Sequence, residues 1–495
     1  MTTKKVLFLC GSPRRKGTKK VLFLCGSPRR KGSASLYTAK YLARFLDYDY
    51  EFVDVAKAKL STDPSETEPP FLRILERMQT ADATVWTFGA WVLFVPVQMQ
   101  YLLDKLFAHG HDFSGKIAAA VMTSVHAHDD FILDRMRFVS EQLGFGYIGD
   151  VSAEGNPFFG YTEDEEVTED SCRILAGQLN RTLADGYVPA RHYPPVERKY
   201  LTSTYRGPGF SMDEPPVTKT NDKTILIVTG NRLSEDSANA SVIESIRRYS
   251  RNSVEVIELQ DRHIGPCVGC YLCDFNVDGI CVRKDEYEAI KRHLHQVDGI
   301  VFVGTCSSGM VDCHLKAFLD RCWGIYHRPS LKGKYGFVIA TGGGPLEAEA
   351  ARYLRVVLTM TGTRCIAALT QSAADAHDFA TTVRRVVEDL DRALDEKWQI
   401  ADRFEIRGVT RTFRDLVAAT GMMLRADYRF YKEHRMFDTP SPGGVNALMR
   451  LLFKSKKMEK WLIAMQQARI AKAREERLTA YLQRCRLGEG EEIPC

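Results

Sequence analysis

Four cysteines in the second half of the chain have a spacing that suits a metal centre. They are Cys267, Cys270, Cys273 and Cys281, in the pattern C-x2-C-x2-C-x7-C. Three thiolates at three-residue intervals can surround one face of a cubane cluster while the fourth closes it from a short loop. Four thiolates also suit a tetrahedral zinc ion, although zinc sites more often use two separated CxxC pairs. Free thiols packing a loop are the third reading, and the spacing favours an iron–sulfur cluster of the 4Fe-4S type.

A second chemical feature is the glycine turn GSPRRKGSAS at residues 26–35. It joins a short apolar run to the amphipathic segment SLYTAKYLARFL, so backbone N–H groups and a helix N-terminus converge there. A phosphate is the ligand that such a turn favours, and a solvated basic turn is the plainer alternative. The side chains predicted to contact the phosphate are Ser27, Arg29, Arg30, Ser33 and Ser35.

The stretch that contains this turn occurs twice without change, as TKKVLFLCGSPRRKG at residues 3–17 and again at 18–32. Only the second copy runs into the amphipathic helix that an anion site needs. Two parallel strands also need a crossover of a dozen or more residues between them, which the first copy does not have. We therefore expect the second copy to be the working one and residues 1–18 to be a disordered or loosely docked extension.

The elements that must position these groups follow from hydrophobic periodicity. In 19–186 and again in 223–398, five strand-like runs alternate with amphipathic stretches, which predicts parallel sheets covered on both faces. The segment 187–222 is rich in proline and polar residues and is predicted to be a linker. The segment 399–495 has helical periodicity. The predicted fold class is α/β, with two doubly wound five-stranded parallel sheets in tandem and a helical tail.

Both parts of the chain resemble one family. In the first part, GSPRRKGSAS and FGAWVLFVPVQMQYLLDKL (88–106) resemble the phosphate turn and third-strand loop of the flavodoxin-like NADPH-dependent FMN reductase family. In the second part, the cysteine segment 266–286, GMVDCHLKAFLDRC (309–322) and the glycine loop ATGGGPLEAEAA (340–351) resemble the branch called iron-sulfur flavoproteins.

The resemblance implies FMN as cofactor, NAD(P)H as electron donor and a set of flavin contacts in each part. Hydride transfer from a nicotinamide to flavin requires no acid–base side chain, so no catalytic residue is assigned. The implied contacts beyond the first turn are Trp91, Val92, Leu93 and Phe94 in the first part, and Arg232, Ser237, Asn239, Ser307, Ser308, Gly309, Met310, Gly342, Gly343 and Gly344 in the second.

Each part also departs from the family pattern. The first has TSVHAH (123–128) where a glycine loop is expected after the fourth strand. The second lacks the Ser-Pro pair in its turn TGNRLSEDSANAS (229–241) and has no aromatic residue in TCSSGM (305–310). One site can therefore be degenerate, and the sequence leaves open which. Because such reductases usually pair as homodimers, the chain is expected to form either a homodimer or an intramolecular pseudo-dimer.

Charge and hydropathy limit the location and the partners. The net charge of +5 comes from the tail, where 19 Lys and Arg face 12 Asp and Glu beyond residue 400. No run of about 18 apolar residues occurs, and the first residues do not read as a secretion signal, so a cytoplasmic protein without a transmembrane segment is expected. An apolar stripe with interleaved lysines at 448–465 suits packing against the rest of the chain or an anionic membrane surface. No recognised motif supports nucleic-acid binding.

Two functions are compatible with these features. The first is an FMN-dependent NAD(P)H oxidoreductase that passes electrons to a quinone, a free flavin or an iron–sulfur relay. The second is an electron-transfer or redox-sensing protein that reduces a protein partner and has no small substrate of its own. A scaffold that has lost its cofactor is the weakest alternative, since it rests only on the incomplete motifs.

Overall fold

The structure is a computed structural model of the 495-residue chain. The residues that it describes are 19–29, 33–125, 128–155, 165–202, 205, 207–212, 214–276, 278–373, 376–401, 404–420, 424–437 and 465. The duplicated segment 1–18, Arg30 and nearly all of the stripe 448–465 lie outside these residues, so the expectations about them stay predictions.

The first half is a five-stranded parallel sheet with the order β2-β1-β3-β4-β5. Its strands are mostly buried because helices cover both faces, as the continuous apolar runs predicted. Its elements are β1 (Lys20–Cys25), α1 (Ala34–Leu42), β2 (Asp49–Asp54), α2 (Val55–Ala58), α3 (Pro69–Thr80), β3 (Ala83–Gly89), α4 (Val97–Ala108), β4 (Ile117–Ser124), α5 (Asp129–Gln142), β5 (Gly146–Glu154) and α6 (Glu165–Asp185).

The second half repeats this topology, with the parallel order β7-β6-β8-β10-β11 and one short strand, β9, antiparallel to β8. Its elements are β6 (Thr224–Thr229), α7 (Ser237–Tyr249), β7 (Ser253–Glu258), α8 (Leu272–Phe275), α9 (Tyr287–Gln296), β8 (Gly299–Ser307), β9 (Met310–Val311), α10 (Cys313–Arg321), α11 (Trp323–His327), β10 (Tyr335–Thr341), α12 (Glu347–Met360), β11 (Arg364–Thr370) and α13 (Ala376–Glu396). Two flavodoxin-like sheets in tandem confirm the predicted fold class.

The two halves pack on each other through equivalent helices, α4 and α10, each of which follows the third strand of its own sheet. The backbone N–H of Val97 donates to Asp320 Oδ2 at 2.9 Å, and Gln100 Nε2 donates to the carbonyl of Val311 at 2.6 Å. One apolar core extends across the contact, including Leu102 of one half and Phe318 of the other. The halves are therefore paired within one chain, while association of two chains stays a prediction.

The linker and the tail both pack on the second half. A 3-10 turn in the linker, Arg198–Leu201, lies against β8. The tail forms α14 (Phe404–Thr420), which contacts α12, and α15 (Arg425–Glu433), which contacts α8. Among the described residues, no helix has the length and hydropathy needed to cross a membrane.

Candidate functional site

A cleft of about 1040 Å³ lies at the carboxyl ends of the first half's strands, where an open sheet of this order binds ligands. Residues after β1, β3 and β4 form one side of it. Residues of α11, α12 and the tail helix α14 form the other, so the cleft is completed only when the halves and the tail are packed together. The first-half residues that line it include Ser27, Arg29, Ser33, Trp91, Val92, Leu93, Thr123 and Ser124.

The glycine turn has the geometry of an anion site. Ser33 is the N-cap of α1: its Oγ accepts from Leu36 N–H at 3.3 Å and lies 2.8 Å from Ser35 Oγ. Gly26 is needed because a Cβ there would lie 2.9 Å from Met99 Cβ, an atom that cannot move without its backbone. Hydroxyl groups and the N-terminus of α1 therefore converge at the mouth of β1. Arg29 lies beside them, with its guanidinium 4.7 Å from the ring centre of Tyr271.

The third-strand loop forms the adjoining wall and is conformationally strained. Val92 and Leu93 have φ of 47° and 62°, in the left-handed region that a β-branched residue rarely adopts. The loop is closed by Trp91 N–H, which donates to the carbonyl of Phe94 at 2.8 Å. Trp91, Val92 and Leu93 line the cleft, whereas Phe94 is wholly buried in the core. Such strain is maintained only where surrounding structure over-determines it, and it concentrates at ligand sites.

Two aromatic residues of the second half face this loop. Trp323 stacks on Trp91 with ring centres 5.2 Å apart and an interplanar angle of 20°. Tyr271 lies 5.7 Å from both rings. The sequence alone does not place either residue at the site. Tyr271 lies inside the cysteine segment 266–286 and Trp323 directly follows the segment 309–322, but only the packing of α4 on α10 shows that they reach the first half's cleft.

The four cysteines surround a separate cavity of about 410 Å³ on the other side of this aromatic wall. The side chains that line both cavities are Trp91, Tyr271 and Trp323. Burial raises the pKa of Cys267 to about 12 and also raises the pKa of Cys270 and Cys273. Metal binding at these thiols must therefore release protons.

The quartet offers four thiol donors, two of which accept hydrogen bonds. Arg321 donates to Cys281 Sγ at 3.2 Å and Gly269 N–H to Cys267 Sγ at 3.5 Å. With Zn–S bonds of about 2.3 Å, two thiolates of one zinc ion lie no more than about 4.6 Å apart. Among the described residues, the one set of three potential ligands within 4.8 Å of one another is Asp274, His327 and Asp427. No three of the described cysteine sulfurs form such a set, and an iron–sulfur cluster, a zinc ion and free thiols all stay open for the quartet.

The equivalent turn in the second half is already occupied by a carboxyl group. Asp236 is wholly buried at the N-cap of α7, where its oxygens accept from Asn239 N–H at 3.1 Å and from Thr305 Oγ1 at 2.6 Å. Asn239 also donates to Asp236 through its side chain. Arg232 is directed instead to Asp261 and Glu235 at the surface. Ser237 is the first residue of α7. The Asp236 side chain thus occupies the helix N-terminus that a phosphate would need.

The remaining second-half residues are likewise engaged or covered. Ser307 and Ser308 donate to Asp104 of α4, and Ser308 N–H donates to the linker carbonyl of Leu201 at 3.0 Å. Glu347 Oε1 accepts from the N–H groups of Gly343 and Gly344, both at 3.2 Å. None of the following residues, predicted to bind cofactor in this half, lines the cleft of about 1040 Å³: Arg232, Asn239, Ser307, Ser308, Gly309, Met310, Gly342, Gly343 and Gly344.

The sheet order, the anion-type turn at the end of β1 and the strained loop at the end of β3 define a flavodoxin-like oxidoreductase. The model of the NADPH-dependent FMN reductase family matches residues 19–156 and 223–378, more than half of the chain. The chain therefore belongs to the NADPH-dependent FMN reductase family and contains its domain twice. It is an FMN-dependent NAD(P)H oxidoreductase of that type.

Individual relatives agree with this assignment. The iron-sulfur flavoprotein of Archaeoglobus fulgidus is 30% identical over 193 residues, covering 36% of this chain and 83% of the relative. An iron-sulfur flavoprotein of Methanocaldococcus jannaschii is 26% identical over 120 residues, covering 24% of this chain and 61% of the relative. A solved NAD(P)H:quinone oxidoreductase from Methanothermobacter marburgensis is 18% identical, covers 34% of this chain and 96% of that one, and has a TM-score of 0.25. The TM-score is too low to support a functional argument.

Proposed function

We propose that this chain binds one FMN in the first-half cleft and one 4Fe-4S cluster in the cysteine quartet, and that electrons from NAD(P)H pass between them to an acceptor. The observation that carries the proposal is that Trp91, Tyr271 and Trp323 line both cavities, so that the two proposed cofactors would share one aromatic wall. FMN supplies the conversion between two-electron hydride transfer and one-electron transfer.

The first-half residues fit FMN in charge and shape. Ser27 and Ser33, at the N-terminus of α1, would bind the phosphate together with Arg29. The strained loop at Val92 and Leu93 would hold the edge of the ring system. Trp91 Nε1 is buried without a hydrogen-bond partner among the described residues, so it has a donor to offer a ligand.

The second half is proposed to act as a cover and a cluster domain with no flavin of its own. Its turn is filled by Asp236, and its glycine loop by Glu347 and by the linker residue Tyr200, whose ring a Cβ on Gly344 would meet at 2.6 Å. These contacts satisfy the backbone groups that a flavin would otherwise bind. Electron acceptors of the quinone or flavin type would enter the cleft between Trp323 and the helix α14.

The experiment is an absorption spectrum of anaerobically purified protein, with flavin and iron assayed after acid release. We expect flavin bands over a broad visible shoulder that dithionite bleaches. The double variant Cys270→Ser/Cys273→Ser should lose the shoulder and the iron but keep the flavin, because those thiols do not line the flavin cleft.

The matched control for that variant is Cys365→Ser, which changes a half-buried cysteine of the same half outside the quartet. It should keep both the flavin bands and the shoulder. Flavin bands without iron in the parent protein would refute the cluster, and protein that purifies without flavin and takes up no added FMN would refute the whole proposal.

A second function is favoured by one observation, the exposed apolar side chains around the quartet. Val268, Ile280 and Val282 are 40%, 49% and 43% exposed, and all three flank the cluster ligands. An apolar patch next to a redox centre suits the docking of a protein electron partner. NAD(P)H oxidation that depends on an added protein acceptor, and is negligible with quinone or free flavin, would favour this electron carrier over the reductase.

A further inference from the structure

Behind the second-half wall of the cleft lies a buried group of four charged side chains. They are Asp274 of α8, His327 at the end of α11, Arg328 and, from the tail helix α15, Asp427. His327 Nδ1 lies 3.1 Å from Asp427 Oδ2 and 3.7 Å from Asp274 Oδ2. Arg328 contacts both carboxyl groups. His327 is 2% exposed and both carboxyls are fully buried.

The tail completes this group. Asp427 lies outside the family-matched residues 19–156 and 223–378. A second tail contact holds His327 in place, because Tyr431 OH donates to the carbonyl of His327 at 2.8 Å. The position of the imidazole therefore depends on a segment that the family domain does not supply.

The ligand atoms of Asp274, His327 and Asp427 lie within 4.8 Å of one another, as in a metal site. The positive charge of Arg328 beside them argues against a bound cation. A cation among Asp274, His327 and Asp427 would lie against the guanidinium of Arg328, which already contacts both carboxyls. With His327 protonated, two positive side chains balance two negative ones. The group therefore has no net charge and needs no metal ion to balance its carboxylates.

One nitrogen of the group has no partner, and the residue that carries it lines the cleft. His327 Nε2 is buried without a hydrogen bond among the described residues, and His327 is one of the residues that line the first-half cleft. Its ring is held between Trp323 and Phe413, with ring centres 4.8 Å and 4.2 Å away. A buried N–H without an acceptor costs about 1–3 kcal/mol, a cost that a ligand in the cleft would offset by accepting from it.

The groups that face His327 decide its protonation. They are Asp274, Asp427 and Arg328, and the rings on either side carry no charge. Burial alone would lower the pKa of His327, but the two carboxyls outweigh burial and Arg328, so that its pKa is raised. The imidazole therefore carries its proton over more of the neutral range than an exposed histidine does.

We propose that His327 is the proton donor of the cleft, with Nε2–H directed to a carbonyl oxygen of a quinone-type acceptor, and that Asp427 is its positioning residue. The inference rests on the proposed function. A quinone gains two electrons and one hydrogen as the hydride that the NAD(P)H-reduced cofactor supplies. The Nε2 proton goes to the second oxygen, giving the hydroquinone and a neutral imidazole, which regains a proton from solvent water.

The test compares two acceptors in the holoenzyme variant His327→Gln. Ferricyanide takes one electron and no proton, whereas benzoquinone needs the proton. Pre-reduced enzyme should lose about 10²-fold in its rate with benzoquinone, the low end for a general acid, and keep its rate with ferricyanide. The control is His293→Gln, a surface histidine with Nε2 2.6 Å from Glu255, which should change neither rate.

A second readout does not depend on turnover. NMR titration of 13C-histidine-labelled protein without flavin should show one histidine that titrates above the usual value, absent from His327→Gln. In Asp427→Asn this pKa should fall, since a carboxyl that raises it is removed, and the benzoquinone pH profile should move to lower pH with it. Asp427→Glu should recover part of both shifts.

The outcomes separate this inference from the proposed function. Equal losses with both acceptors, or no loss with benzoquinone, would overturn the role of His327 while leaving the reductase intact. An enzyme that NAD(P)H cannot reduce, even with ferricyanide present, would refute the proposed function instead. If His327→Gln does not fold, the pKa shift and pH profile of Asp427→Asn decide the question.

Discussion

At the scale of single residues, buried carboxyl groups occupy the second half's candidate ligand positions. Asp236 and Glu347 accept backbone N–H groups that face ligand sites in a fold of this kind. Asp104 does the same for the hydroxyls of Ser307 and Ser308 across the contact between the halves. Each carboxyl satisfies polar groups that would be costly to bury alone. These polar groups of the second half therefore find their partners within the protein itself.

The same burial gives Asp104 a measurable pH dependence. Burial raises its pKa to about 6 from 3.8, despite the hydrogen bonds from Ser308 and Ser307. Between these values the folded state binds more protons than the unfolded state, so Asp104 lowers the stability as pH rises from about 4 to 7. A shift of about two pKa units corresponds to about 3 kcal/mol.

Urea unfolding at pH 4.5 and pH 7.5 tests this for the parent chain and Asp104→Asn. Relative to the parent, the variant should gain about 2 kcal/mol on going from the lower to the higher pH. Comparing the two proteins cancels the other titrating groups. A difference in free energy that is the same at both pH values would contradict the raised pKa.

At the scale of elements, strand–turn–helix units could be predicted from the local sequence. The elements that pack against those units could not. Adjacent residues with clear periodicity encode β1, the turn of Gly26 and α1. The cysteine quartet is likewise visible in the local sequence, through its spacing. Tyr271 and Trp323 join the cleft only because α4 packs on α10, and no local pattern indicates that contact. The bond between His327 and Asp427 joins residues 100 positions apart, so hydrophobic patterning carries no signal for it.

The two equivalent turns make a matched pair of variants. Arg29 lines the cleft, whereas Arg232 is paired with Asp261 and Glu235 on the surface. Arg29→Ala should weaken FMN binding by about tenfold or more, because a hydrogen bond to a charged group contributes about 1.5–3 kcal/mol. Arg232→Ala should leave FMN affinity unchanged, since exposed ion pairs contribute little. Fluorescence titration of flavin-free protein measures both, and the reverse result would place the flavin in the second half.

At the scale of the whole molecule, the chain joins two family domains and a tail around one cleft. The first half supplies the turn and the strained loop, the second supplies the aromatic wall and the cysteines, and α14 lines the remaining side. The two like domains thus contribute different residues to the cleft. A linker that covers the second half's loops at Tyr200 and Leu201 reinforces this asymmetry.

This asymmetry predicts the cofactor content of the protein. If only the first-half cleft binds flavin, protein reconstituted with excess FMN and then desalted should contain one FMN for each 55.9 kDa chain, whatever its oligomeric state. Acid-released flavin, quantified against protein by amino-acid analysis, gives this ratio directly. A ratio near two would require FMN to displace Asp236 and Glu347 from the amides that they now occupy. That result would mean that the second half retains a flavin site of its own.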